Sequence, residues 1–209
     1  MGEVFKERAD NTYSFPGVYE DAVRYIEKVQ LFRTDLWKRF AQQFKEDADY
    51  EAGWRCEYWG KMMRGACFVY GYTKDELLYQ VLADTVRDIM TAQDEFGRIS
   101  SYASNHEMDG WDLWGRKYVL LGMQYFLEIN EDKELEKQVI DSMCRQVDAI
   151  MEVIGDPKEG KKLITKATRH WRGLNSSSIL EPIVKLYKLT KEQKYFDFAT
   201  YIVDCGGTD

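Results

Sequence analysis

Only three prolines interrupt the 209 residues, at Pro16, Pro157 and Pro182. Proline breaks a helix interior by removing a backbone donor and clashing with the preceding turn, so long stretches of this chain are free to be helical. There are just two histidines, His106 and His170, and four scattered cysteines, Cys56, Cys67, Cys144 and Cys205. No C-x-x-C pair occurs among them, which leaves a zinc knuckle or a disulfide framework unsupported. Reduced thiols, most of them in the core, are the simpler reading, and they point to a cytoplasmic protein. A run of about 18 apolar residues, as a membrane-spanning helix needs, is missing. The opening stretch MGEVFKERADNTYSF holds no apolar segment of the secretory type. Basic excess is missing too: the net charge is -7, and a nucleic-acid footprint needs a basic face. Neither a phosphate-binding glycine loop, a G-x-S-x-G elbow nor an H-E-x-x-H helix is present.

What is present is repetition. After Asp75, apolar residues fall at Leu78, Leu82 and Val86; after Asp132, at Leu135, Val139 and Met143; after Glu192, at Tyr195, Ala199 and Val203. These shared offsets each describe one face of a helix. Similar turns precede all three segments, with Thr73, Asn130 and Thr190 as expected N-caps and acidic residues in the first turn opposing the helix dipole. Before each turn lies another apolar helix, expected over about 57–70, 112–128 and 176–188. The unit of helix, short turn, helix and long loop recurs at intervals of 57 and 60 residues, counted between Thr73, Asn130 and Thr190. Such repetition indicates an all-α solenoid or closed toroid of helical hairpins, with a period too long for a tetratricopeptide array of about 34 residues. A leading helix is expected over about 18–44, behind an N-terminal arm of residues 1–17. Residues 18–209 then form one domain of about seven helices.

Aromatic placement is informative. Trp37 belongs to the leading helix, whereas Trp54, Trp59, Trp111, Trp114 and Trp171 fall just before, or near the start of, the first helix of a hairpin. In a hairpin array these positions share one end. The rings either plug the ends of the core or line a rim where indole faces can stack on sugar C–H surfaces. Arg55, Glu57, Lys61, Asp112, Arg116, Arg169, His170, Arg172 and Asn175 accompany them. Glu57–Lys61 and Asp112–Arg116 have the four-residue spacing of plain helix ion pairs. A carboxylate pair would suit glycoside hydrolysis, but Glu57, Asp109, Asp112 and Glu181 are all candidates, and spacing does not choose between them.

Several segments carry a resemblance. They are Glu57-Tyr58-Trp59-Gly60-Lys61-Met62-Met63-Arg64-Gly65-Ala66, Ala92-Gln93-Asp94-Glu95-Phe96-Gly97-Arg98-Ile99, the stretch from Gly110-Trp111-Asp112-Leu113-Trp114-Gly115-Arg116 to Gly122, and Ser178-Ile179-Leu180-Glu181-Pro182 to Tyr187. In this order and at these spacings the chain resembles glycoside hydrolase family 127, the β-L-arabinofuranosidase family. The resemblance implies an (α/α)6 toroid, of which this chain would be the front part, with the C-terminal part of its own toroid missing. It also implies retaining hydrolysis of arabinofuranosides by a cysteine thiolate at a zinc site with a glutamate acid/base. These catalytic residues are expected downstream of Asp209, so zinc belongs to the complete enzyme and this chain alone is expected to be inactive. None of the four cysteines here matches the nucleophile or a zinc ligand. The sequence departs from the family at Tyr118, where some members have histidine, and at Arg64, where many have an acidic residue.

Trp59, Trp111, Asp112, Trp114, His170 and Trp171 are the expected substrate contacts, with an oligosaccharide or glycoside as ligand and no nucleic acid, membrane or metal partner for this chain. Two other readings share the pattern. A non-catalytic carbohydrate-binding half-toroid needs only the tryptophan rim. An α-solenoid scaffold for another protein predicts a broad concave face without saccharide affinity.

Overall fold

The computed structural model describes residues 16–47 and 55–208. Trp54 and nearly all of the expected N-terminal arm lie outside them. The described residues form nine α-helices and no strand: α1 Val18–Ile26, α2 Thr34–Gln43, α3 Arg55–Thr73, α4 Glu76–Met90, α5 Asp112–Leu127, α6 Lys133–Val153, α7 Leu174–Ser177, α8 Leu180–Thr190 and α9 Gln193–Asp204. Three hairpins, α3–α4, α5–α6 and α8–α9, match the expected repeat. The count exceeds seven for two reasons. The leading helix is split, with a π-helical turn at Glu27–Leu31 followed by a break at Arg33, and the single turn α7 precedes α8. Glu27 is buried in that π turn and pairs with Arg24 at 3.2 Å.

The helix caps sit two residues beyond their expected positions. Thr73 is the last residue of α3, and Asp75 caps α4 by accepting from the Leu77 amide at 2.9 Å. Asp132, not Asn130, caps α6, accepting from the amides of Glu134 and Leu135. Thr190 ends α8, and Glu192 takes the N-cap position of α9. The turn needs room to reverse the chain: Lys74 and Lys191 adopt left-handed φ values of 53° and 61°, closing one helix before the next begins.

The inward faces follow the expected offsets with one exception. Leu78, Leu82, Val86, Leu135, Val139, Met143, Tyr195 and Ala199 are buried, but Val203 is exposed and Ile202 takes the core position. Seven residues on from Tyr195 completes nearly two helical turns, which brings Ile202 back to the same face.

The first helices of the hairpins neighbour one another, α3 against α5 and α5 against α8, while α4 and α6 pack outside them and α2 spans α3 and α4. Most of α5 is therefore buried around its circumference, including Leu113, Val119, Leu120, Met123 and Phe126, as befits a helix enclosed by others. Burying each such side chain contributes roughly 1.5–3 kcal/mol. The approach of α3 to α5 depends on missing side chains. A Cβ on Gly60 would lie 2.0 Å from the Tyr118 carbonyl oxygen, and one on Gly122 would lie 2.7 Å from the Trp59 ring.

Candidate functional site

Two long loops shape the end of the array where α5 begins. The first is fastened to the outer helix α6. Gln93 Nε2 donates to the carbonyls of Gly97 and Ser142, both at 2.9 Å, and the Ile99 amide donates to Gln146 Oε1 at 3.1 Å. Its far end is tied to α5 by Asp112, which accepts from Ser100 Oγ at 2.6 Å and from the Met108 amide at 3.0 Å. Asp112 also pairs with Arg116 at 3.0 Å, and Arg116 reaches Glu107 at 2.7 Å. Burial opposes the Asp112 charge, but the Arg116 guanidinium and the Ser100 and Met108 bonds outweigh it and hold the carboxyl below its usual range.

The second loop crosses over the first. Lys162 Nζ donates to the Met108 carbonyl at 2.7 Å, Thr168 Oγ1 to the Gly110 carbonyl at 2.8 Å, and Arg169 pairs with Asp109 at 2.7 Å. Trp171 and Arg172 then take left-handed φ values of 49° and 53°, ahead of Gly173 at 95°. Left-handed backbone at two successive residues other than glycine is costly and tends to be kept where a site demands it. Here it turns the Trp171 ring toward α5.

The result is one aromatic cluster. Trp111 stacks on His170, with 4.5 Å between centroids and 18° between planes. Trp171 meets Trp111 edge-on at 5.1 Å and Trp114 at 6.0 Å, and Trp114 meets Tyr118 at 5.3 Å. Trp171 is 59% exposed, whereas Trp111, Trp114 and His170 are half-buried. Trp114 Nε1–H is buried and makes no hydrogen bond.

Two of the expected contact residues lie elsewhere. Trp59 is fully buried, donating to Thr85 Oγ1 at 3.1 Å on α4 and packing edge-on against Phe44. Asp112 is also fully buried and engaged by Arg116. Neither can touch a solute without opening the fold, so both are structural corrections to the expected set. Four of its six residues come together: Trp111, Trp114, His170 and Trp171. Of the four carboxylates considered, Asp109 is paired with Arg169 and Asp112 with Arg116. Glu57, buried and paired with Lys61, and Glu181, exposed on α8, flank the cluster. The Arg55 side chain lies outside the described residues. Trp37 is core, its Nε1–H donating to the Leu31 carbonyl at 2.8 Å.

Beyond the tryptophans runs a stripe that the residue pattern did not single out. Trp111 at the N-cap and Trp114, Tyr118 and Tyr125 along α5 fall at helical spacing, and cations lie over the tyrosines. Lys61 and Lys117 sit 5.0 and 5.1 Å from the Tyr118 centroid, and Arg64 and Lys185 sit 5.2 and 4.3 Å from that of Tyr125. Spacing on α5 alone would have found the rings. The cations come from α3 and α8 as well, and only their packing reveals them.

All four cysteines are free thiols, Cys56 and Cys67 buried and Cys144 and Cys205 half-buried. Burial pushes the Cys67 thiol above its ordinary value. Among the described residues no group of three or more His, Cys, Asp and Glu side chains is placed to hold a metal ion. No helix among the described residues is long and apolar enough to cross a membrane.

An all-α array of hairpins with an aromatic rim at the loop end defines the class as a helical toroid in part. The sequence profile of the β-L-arabinofuranosidase, GH127 catalytic domain, matches residues 22–209, and the chain belongs to that family. Among solved structures, a GH127 β-L-arabinofuranosidase from Geobacillus stearothermophilus T6 is similar to it, with a TM-score of 0.64 and 16% sequence identity. That match covers 90% of this chain and 31% of the other, so the chain spans less than a third of the enzyme it resembles. At this identity the likeness speaks for the fold. Comparison with curated proteins gives no match.

Proposed function

We propose that this chain forms the substrate-side front of a glycoside hydrolase acting on arabinofuranosides or related glycans, with Trp111, Trp114, His170 and Trp171 contacting the sugar. The observation that carries this is the gathering of these four rings, from two separate loops and one helix start, into a single partly exposed cluster. Sugars present C–H faces to aromatic rings and hydroxyls to polar edges, and a half-buried indole offers both kinds of contact. The Trp114 N–H, without a partner in the free protein, is a donor available to a hydroxyl once the rings shift. Membership in the family supplies the reaction class.

The catalytic acid/base, the thiolate and the zinc of the complete enzyme would come from residues outside this chain, which by itself binds but does not turn over. The four free thiols support a cytoplasmic setting.

Calorimetric titration of the whole chain with L-arabinofuranosyl oligosaccharides tests the reading. Saturable binding that Trp111→Ala and Trp171→Ala both abolish is the expected result. If the folded chain shows no affinity for any arabinofuranoside or related oligosaccharide, the scaffold reading replaces it.

A further inference from the structure

The aromatic stripe on α5 carries more positive charge than a neutral sugar needs. Four cations, Lys61, Arg64, Lys117 and Lys185, lie over its Tyr118 and Tyr125 rings, in a chain whose net charge is -7. Two carboxylates face them. Glu57 pairs with Lys61, and Glu181 stands 3.9 Å from Lys185. Neither Arg64 nor Lys117 forms an ion pair with a described residue. Lys117 is the more telling of the two, because it is half-buried between Trp114 at 4.7 Å and Tyr118 at 5.1 Å. Burial, reinforced by the nearby Lys61 charge, lowers its pKa against the opposing pull of Glu181 and Glu57. A partly desolvated ammonium without a carboxylate contact is a costly arrangement, and an incoming anion would relieve it. Ring quadrupoles compensate only in part.

We infer that the stripe between α3, α5 and α8 binds an acidic saccharide, a short run of uronosyl residues, with Lys117 beside Trp114 and Tyr118 and Arg64 beside Tyr125 each meeting a carboxylate along it. This rests on the carbohydrate reading above and narrows it to an acidic glycan. An ammonium and a guanidinium each form charge-assisted hydrogen bonds to a carboxylate that a neutral hydroxymethyl group cannot match.

The test is calorimetric titration of the whole chain at low ionic strength with three probes: trigalacturonate, its carboxyl-reduced counterpart and a neutral arabinofuranosyl trisaccharide. Binding of trigalacturonate at least tenfold tighter than the reduced form is the expected result. That preference should shrink severalfold at high salt, and in both Lys117→Met and Arg64→Gln. Arg64 is exposed, so its variant keeps the test usable if Lys117→Met fails to fold. Equal binding of the acidic and reduced trisaccharides, or a preference that survives both substitutions, overturns the charge inference and leaves the carbohydrate reading standing. Binding of the neutral arabinofuranosyl probe alone does the same. Binding of none of the three overturns both.

Discussion

The imidazole of His170 lies almost parallel to the indole of Trp111, 4.5 Å away, although the two residues come from different loops. The stack joins the second loop to the start of α5 and positions Trp171 against both Trp111 and Trp114. A ring pair of this kind contributes about 0.5–1.5 kcal/mol beyond its buried area. His170→Ala should therefore lower the unfolding free energy by about 1 kcal/mol, whereas His170→Phe, which keeps a flat ring, should retain most of it. Urea unfolding of the three proteins measures the difference. An alanine variant as stable as the parent would mean that the loop is held by its polar ties from Lys162, Thr168 and Arg169.

Trp59 and Trp171 should respond oppositely to truncation. Trp59 is enclosed and its N–H is bonded to Thr85, so Trp59→Ala leaves a large cavity and an unpartnered hydroxyl. The expected cost is about 3–5 kcal/mol. Trp171 is 59% exposed and makes edge contacts only, so Trp171→Ala should cost about 1 kcal/mol or less. Saccharide affinity should nevertheless fall in Trp171→Ala. Unfolding and binding measured on the same two variants separate core from site.

This contrast also marks how far the sequence could be read. The hairpins were legible because apolar spacing and turn chemistry agree over α3 to α9, and Leu78, Leu135 and Tyr195 stand where the pattern puts them. Thr73 and Asn130 misled because a good capping side chain lay two residues before a better one, and only the left-handed residue at Lys74 settles which is used in the first turn. Trp59 and Trp111 look alike as sequence, each within two residues of a charged side chain and near a helix start. They differ in their partners: Trp59 points from α3 to Thr85 on α4, whereas Trp111 sits at the N-cap of α5 against His170. Asp112 sat in the right motif, but its role is to anchor loops, which depends on Ser100 and Met108 folding back onto it.

Gly60 gives a sharp test of the packing of α3 on α5. A methyl group there would meet the Tyr118 backbone carbonyl at 2.0 Å. Backbone on α5 cannot swing aside as a flexible side chain could, so α3 must separate from α5 along its length. Gly60→Ala should destabilise by about 1–3 kcal/mol or more, despite alanine's better helix propensity of about 1 kcal/mol. Gly65→Ala is the internal control, because no atom lies within 4 Å of the added Cβ. That variant should gain a few tenths to about 1 kcal/mol. Thermal unfolding should then move in opposite directions for the two glycines of the same helix. If both variants gain stability, α3 and α5 are not in the described contact.

The Asp112–Arg116 pair predicts a pH dependence of definite sign. The Asp112 carboxyl is held below its usual value in the folded chain, so its stabilising contribution is complete above about pH 4, where the unfolded carboxyl is also ionised, and is lost as pH falls through the depressed folded value. Asp112→Asn removes that titration and leaves the buried Arg116 with Glu107 alone. At pH 7 the variant should be less stable by about 3–5 kcal/mol, the usual consequence of removing one member of a buried pair. Below about pH 4 the gap should narrow, because the parent protein progressively loses the same charge. Urea midpoints for both proteins from pH 7 to pH 2.5 give the curve. A gap that stays constant over the whole range would assign the effect to lost hydrogen bonds from Ser100 and Met108 and not to the ion pair. A double variant, Asp112→Leu with Arg116→Met, removes both charges together and should recover much of the loss at pH 7, since paired burial of ions offers little over apolar packing of similar volume.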